Sequence, residues 1–331
     1  MRRYLARKLV TYGITFFAAV TIDWAIPHLM PGDPIMTMMG HIPFPTPEAA
    51  QRFHDSIAQA FGLDNPLWKQ YLLFWKSLFQ GDLGISIMQY PTPVTTVIEQ
   101  SAPYTLALLI PAILLSWLVG NKVGAIAARR KKLDNTVLPI SYLLTATPYM
   151  WLAVLLAWLF AFIWRIFPIG FAYDVTMQQG WTWEFVASLL YHWFLPFLTV
   201  FLVSLGGWAI GMRNMIIYEL EADYSHYLEA LGAPRRLVRK YAFRNAMLPQ
   251  ITGLALALGA VLAGALVTEI VFSYPGLGFQ IFRAISRKDY FVIQGIFLFI
   301  IIGTLVANFI IDIAYVLVDP RTRIGMQGGQ A

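Results

Sequence analysis

The 331-residue chain contains no cysteine, and charged residues make up only 13% of it. The missing cysteine excludes disulfides, thiolate metal sites and cysteine nucleophiles. The scarcity of charge is more informative. A soluble domain carries about 25% charged residues, so this chain cannot cover a water-facing surface of its own size. Histidine is sparse too: His28, His41, His54, His192 and His226 are scattered with no H-x-x-x-H pair, which argues against a metal site or a histidine proton relay. There is no G-x-x-x-x-G-K-[ST] phosphate cradle, and neither H-E-x-x-H nor G-x-S-x-G occurs. Nucleotide hydrolysis of the P-loop kind and the common forms of intramembrane hydrolysis therefore find no residues here.

What the chain has instead is apolar length. Hydrophobic residues make up 58%, mean hydropathy is +0.60, and runs near the ~20 residues of a membrane span recur. Six spans are expected, at about Leu9–Met30, Ala102–Ala128, Val137–Phe167, Tyr191–Ile217, Met247–Phe272 and Phe291–Leu317. The net charge of +6 is concentrated in blocks: Arg2, Arg3, Arg7 and Lys8, then Arg129 to Lys132, then Arg235, Arg236, Arg239, Lys240 and Arg244, then Arg321 and Arg323. These fall in alternate gaps between apolar runs, the positive-inside pattern. Basic character thus reports topology, with both ends in the cytoplasm, and not a nucleic-acid surface. The first run lacks a small-x-small cleavage site and reads as an uncleaved span.

The organisation expected is an N-terminal tail with the first span (1–30), an external segment with short amphipathic helices (31–100), and a core of five spans (101–325) carrying a cytoplasmic loop at 218–245. In the external segment Pro47-Glu48 opens a helix closed by Gly62, and Pro66 to Phe79 forms a second, stopped by Gly81. Leu67, Tyr71, Phe74, Trp75 and Leu78 give the second helix an apolar face, suited to lie on the membrane surface or on other spans. Aromatic residues at 171–185 mark a further external loop at the membrane boundary.

The cytoplasmic loop holds the most specific pattern. Asp223 is a plausible N-cap, and Gly232 followed by Pro234 a C-terminal stop. Between them Tyr224, Tyr227, Leu228 and Leu231 fall at i, i+3, i+4, i+7, so a short amphipathic helix is expected. Its apolar face either docks into another protein's groove or packs on the bilayer or on the chain's own spans; spacing alone does not choose.

Downstream, Arg244-Asn245-Ala246-Met247-Leu248-Pro249 resembles the Arg-Asn-Ala-x-Leu-Pro of the dipeptide, oligopeptide and nickel branch of binding-protein-dependent ABC permeases, and Gly232 fills the glycine of that family's Glu-Ala-Ala loop. The resemblance extends along nearly the whole chain. It includes Pro31-Gly32-Asp33-Pro34, Gly62-Leu63-Asp64, Gly81-Asp82-Leu83-Gly84-Ile85-Ser86, the Glu269 to Gly278 block, Asp289-Tyr290, Asn308, Asp312, Tyr315 and Asp319-Pro320-Arg321. One departure is clear: where the family has Arg-Thr-Ala-Arg-Ala-Lys-Gly, this chain reads His226 to Gly232, with Glu229 among positions that are usually basic.

The resemblance implies an all-α polytopic permease of the type I importer fold. It implies a second homologous permease, two cytoplasmic ABC ATPase subunits that dock on the loop helix, and an extracytoplasmic solute-binding protein as partners. ATP and Mg would sit on the ATPase subunits, with no cofactor bound by this chain. The site residues implied for the coupling loop are Asp223, Tyr224, Tyr227, Leu228, Glu229, Leu231, Gly232, Arg235, Arg244 and Pro249. A peptide is the default solute by family, and a short oligosaccharide is the alternative, suggested by the loop departures and the aromatic external loops.

Four acidic or amide groups fall within spans, where they either line a path or tie helices together. Asn308 and Asp312 are four apart and share a face, and Glu269 ends the fifth span; for these three the interhelical role is preferred. Asp23 in the first span is left open. An ion-coupled carrier acting alone is the rival reading, but it would favour internal repeats and mid-membrane charges. An ABC exporter is set aside by resemblance only.

Overall fold

The computed structural model describes residues 2–29, 34–39, 43–60, 62–259 and 266–318. Apart from one isolated antiparallel bridge between Ile85 and Pro93, the secondary structure in these segments is helical: α1 (Arg2–Leu29), α2 (Pro34–Met39), α3 (Pro47–Ala60), α4 (Leu67–Phe79), α5 (Val94–Ala127), α6 (Lys131–Ala146), α7 (Tyr149–Leu156), α8 (Trp183–Leu220), α9 (Asp223–Ala230), α10 (Arg235–Gly259), α11 (Leu266–Val271), α12 (Leu277–Arg287) and α13 (Tyr290–Val318). Among the described residues, four helices are long and apolar enough to cross a bilayer: the Ala6–Ile26 stretch of α1, α5, α8 and the Tyr290–Ile310 stretch of α13.

One expected span differs from a single straight helix. The third is broken. α6 and the α7 segment meet at a bend of 100°, because Pro148 pushes Thr147 into an extended conformation (φ −77°, ψ 120°) and then opens the next helix itself. Beyond α7, Ala157–Ile163 widens into a π-helical turn. The fifth span runs through 260–265, outside the described residues, with α10 before it and α11 after. Of the family-like segments, 31–33 and 319–321 also lie outside, as do Arg321 and Arg323. The expected external helices form with their glycine stops: Gly62 and Gly81 adopt φ +66° and +74° after α3 and α4.

The chain divides into two compact units, one of Met1–Pro103 with Gly276–Ala331 and one of Tyr104–Pro275. In the first, α1 and α13 run antiparallel. Asp312 accepts from the Tyr12 hydroxyl at 2.7 Å and pairs with Lys8 at 2.7 Å, and at the other end Gln294 donates to the Trp24 carbonyl at 3.3 Å. The apolar face of α4 lies on α1: Trp75 stacks on Phe17, and Tyr71 meets Thr21 at 2.8 Å. The loop before α5 is fastened to the start of α13. Buried Asp289 accepts from the Ser86 hydroxyl at 2.5 Å and from the Met88 amide at 3.1 Å, and it caps Val292 at 3.3 Å.

In the second unit α8 is the central helix, and its neighbours approach closely at glycines. A Cβ on Gly124 would stand 2.3 Å from the Ala209 carbonyl oxygen, one on Gly120 2.6 Å from Trp208 Cβ, and one on Gly206 2.5 Å from the Ser141 carbonyl oxygen. Gly120-x-x-x-Gly124 is therefore a small-residue face of α5. Arg213 of α8 holds Asp134 of α6 through two nitrogens at 2.9 and 2.5 Å. Buried Leu108, Leu152, Leu195, Val200, Val203 and Phe272 fill the core.

Candidate functional site

The expected 218–245 loop is mostly helix. Tyr218 to Leu220 complete α8, Arg235 to Asn245 belong to α10, and α9 stands between them. Ala222, not Asp223, takes the N-cap position: it is the extended residue (φ −73°, ψ 149°), and Asp223 is the first helical residue. There its carboxyl faces the positive end of the helix dipole. The C-terminus closes as a Schellman motif. The Ala233 amide reaches the Leu228 carbonyl at 3.0 Å and the Gly232 amide the Glu229 carbonyl at 2.9 Å, with Gly232 at φ +76°.

The amphipathic face is divided between two surroundings. Tyr224 turns inward, its hydroxyl donating to the Glu219 carboxyl at 2.7 Å. Burial, helped by that carboxyl, pushes the Tyr224 phenol above its ordinary range. The Ser225 hydroxyl donates to the Glu219 carbonyl at 2.7 Å, and Asn245 of α10 donates to the Glu219 carboxyl at 3.3 Å. Tyr227 and Leu231 point outward, 66% and 65% exposed, with Leu228 between the two environments. Glu229, Arg235 and Arg244 are exposed around them. Pro249 stands away from this group, inside α10.

Glu219 is the residue that sequence reasoning passed over. It gathers α8, α9 and α10 at one carboxyl. Its only signal was its place in the last turn of α8, three residues before the helix break, and that is a common place for glutamate. Asn245 of the Arg-Asn-Ala-x-Leu-Pro pattern is thereby explained as the α10 end of the same junction.

The in-span polar residues separate. Glu269 is fully buried and accepts from the Thr105 hydroxyl at 2.7 Å. Asp312 is engaged by Lys8 and Tyr12. Asn308, on the same face, makes no hydrogen bond among the described residues. Asp23 is 3% exposed, and neither carboxyl oxygen has a hydrogen-bond partner among the described residues. No group of three metal-ligating side chains forms among the described residues.

The second unit also holds an open cavity of about 580 Å³ between α5, α7, α8 and α10, lined by Tyr149, Ser204, Gly207, Trp208, Gly211 and Gln250 with apolar neighbours. None of these residues was singled out from the sequence except through Pro249, which also borders the cavity.

The family model for the binding-protein-dependent transport system inner membrane component matches residues 120–324. The chain is 31% identical over 343 residues to the dipeptide transport system permease protein DppB of Escherichia coli strain K12, covering 98% of this chain and 99% of that protein. It is 32% identical over 341 residues to the di/tripeptide transport system permease protein DppB of Pseudomonas aeruginosa strain UCBPP-PA14, covering 98% and 99%. It is 28% identical over 324 residues to the oligopeptide transport system permease protein AppB of Bacillus subtilis strain 168, covering 97% and 98%. A multi-pass, all-helical chain matched in this way over nearly its whole length belongs to the family of binding-protein-dependent transport system inner membrane components.

Proposed function

We propose that this chain is one transmembrane half of an ATP-driven importer that brings a peptide across the cytoplasmic membrane of a prokaryote. A second permease completes the path, an extracytoplasmic binding protein delivers the solute, and two ATPase subunits carry ATP and Mg. In this reading the chain crosses the bilayer six times with both ends in the cytoplasm. The bent α6–α7 segment makes one crossing, and α10 with α11 makes another. Peptide is preferred to oligosaccharide because the relatives compared above are permeases for dipeptides, tripeptides and oligopeptides.

The observation that carries the reading is α9. A short helix fixed at its back by Glu219 presents Tyr227 and Leu231 to solvent, where an isolated chain has no reason to leave them. Such a face suits a groove on a cytoplasmic subunit. ATP-driven movement of that subunit would push α9, and the Glu219 junction would pass the displacement to α8 and α10 as a rigid-body shift between two states.

The test is to tag the chain, purify it in mild detergent from its native membrane, and cross-link from Tyr227→Cys. Recovery of an ATPase joined at that position supports the reading. Recovery of the chain alone under gentle cross-linking would return the ion-coupled carrier to first place. Topology has its own check: Ser56→Cys in α3 should react with an impermeant thiol reagent in cells with a permeabilised outer membrane.

A further inference from the structure

The cavity of the second unit differs from the other polar positions within the spans. Gln250 is 6% exposed, yet its side-chain amide makes no hydrogen bond among the described residues and borders the cavity. The amide thus opens onto the cavity with its hydrogen-bonding capacity unused by the protein, where a solute can meet it. Its position is fixed from behind, since the Trp117 indole donates to the Gln250 carbonyl at 3.0 Å. Across from it, a Cβ on Gly207 would meet nothing within 4 Å, whereas one on Gly211 would meet the Gln250 side-chain amide, 3.2 Å from its nitrogen and 3.6 Å from its oxygen. Bare helix backbone therefore faces the space. The Tyr149 and Ser204 hydroxyls stand 3.4 Å apart on its wall. The Trp208 indole lies over Gly253, so that a Cβ there would come within 3.1 Å of the ring.

We infer that this cavity is a solute-binding station on the transport path and that it reads the peptide main chain. The inference rests on the importer reading above. A primary amide offers N–H donors and a carbonyl acceptor on one edge, the complement of the C=O and N–H that a single extended residue presents on its own edge. Gly207 opposite lets a main chain come close, and the hydroxyls add tolerant hydrogen bonds. The volume of about 580 Å³ lies in the range of small-molecule sites, about 300–1,000 Å³. No charged side chain lines it among the described residues, so the terminal charges of a peptide find no fixed counter-ion. Side-chain identity is likewise not selected. Recognition falls on the amide, which every peptide has.

The absence of native cysteine makes the test direct. Gly207→Cys is introduced in the complete transporter, where the open space at that position accepts it, and Leu155→Cys, exposed on α7, serves as control. Uptake of radiolabelled alanyl-alanine into proteoliposomes and binding-protein-stimulated ATP hydrolysis are measured before and after a hydrophilic methanethiosulfonate reagent, with labelling scored on this chain alone. The expected result is that Gly207→Cys reacts, uptake falls at least tenfold, and stimulated hydrolysis persists, while Leu155→Cys is unaffected. Gln250→Leu is expected to lower uptake three- to tenfold at sub-saturating peptide with unchanged recovery of the complex. Labelling of Gly207→Cys that leaves uptake intact overturns the inference. So does reaction only in the isolated chain, which would mean that a helix of the second permease fills the cavity. Loss of ATP-dependent uptake already in the unmodified complex would remove the importer reading itself, and the station with it.

Discussion

Replacing Gly232 separates two ways in which a glycine can matter at the end of a docking helix. Its φ is +76°, and a Cβ there would meet nothing within 4 Å, so any effect of a side chain is torsional and not steric. A non-glycine residue in the left-handed region costs about 1–2 kcal/mol, and a β-branched one more. The chain can relieve the strain only by abandoning the two closing hydrogen bonds, from Ala233 to Leu228 and from Gly232 to Glu229, which sit directly under Leu231. If docking needs that turn ordered, 1.4 kcal/mol per factor of ten turns the strain into a docking equilibrium weakened by about 5- to 30-fold. Gly232→Val should therefore lower transport per ATP hydrolysed in membrane vesicles. Gly232→Ala should have a smaller effect, and Gly232→Asn should come close to the parent because asparagine tolerates this region. The order Asn, Ala, Val is the diagnostic. Equal transport by Val and Gly would refute the argument, and Asn as damaging as Val would show that bulk, not torsion, is at stake.

The other predictions test packing and junctions. Gly124→Val should prevent recovery of a monodisperse chain from detergent, because the 2.3 Å approach to the Ala209 carbonyl cannot be relieved without parting α5 from α8; equal recovery of the two would refute it, and Gly207→Ala should be neutral in the same assay. Asp23→Leu should stabilise the chain by about 1–2 kcal/mol, read as a melting temperature raised by a few degrees; a lower melting temperature would mean that the carboxyl has a partner. Ser86→Ala removes a buried donor to Asp289 at a cost of about 1–3 kcal/mol and should speed proteolytic nicking in the 84–93 loop, with an unchanged rate counting against that role. Glu219→Ala should uncouple hydrolysis from uptake while Glu219→Gln, still an acceptor for the Tyr224 hydroxyl, largely retains coupling; equal behaviour of the two would deny the junction its role.

The short helices were legible because their ends are local. Gly62, Gly81 and Gly232 stop α3, α4 and α9 through backbone conformations that need no tertiary partner. The long apolar helices were legible by length. The break in the third span was written at Thr147-Pro148 but concealed by the apolar run around it, since hydropathy does not register the backbone preference that a proline imposes on its predecessor. The helical character of 235–245 was hidden for a related reason: a run of charged residues does not by itself mark irregular backbone, and these residues form the first turns of α10. Partnerships across the chain were not legible at all. Asp312 and Tyr12 are 300 positions apart, and Asn308, which shares the face of Asp312, does not share its partners. Gln250 follows a recognisable Leu-Pro and looked like the residue after a motif, although it is the only amide that the cavity receives from α10.

The placement of Glu219 and of the cavity on one helix gives the two sites a common mechanical element. α8 is 38 residues long, about 57 Å at 1.5 Å per residue, against a hydrocarbon core of about 30 Å. The excess lets its last turn stand in water, where a carboxyl can collect Tyr224 and Asn245, while its middle turns stay among apolar neighbours. From Glu219 to Gly207 is twelve residues, about 18 Å along the axis, and the intervening turns are held by Arg213 to α6 and by the glycine contacts to α5. Both contacts tie α8 to neighbours that would move with it. α10 differs. Pro249, which has no N–H to donate, interrupts its hydrogen-bond ladder between the Asn245 junction and Gln250. In the importer reading, a push on α9 would reach the cavity along α8, tied to its neighbours, and along α10, with its proline break, and an unequal response of its two walls would open and close a station between them.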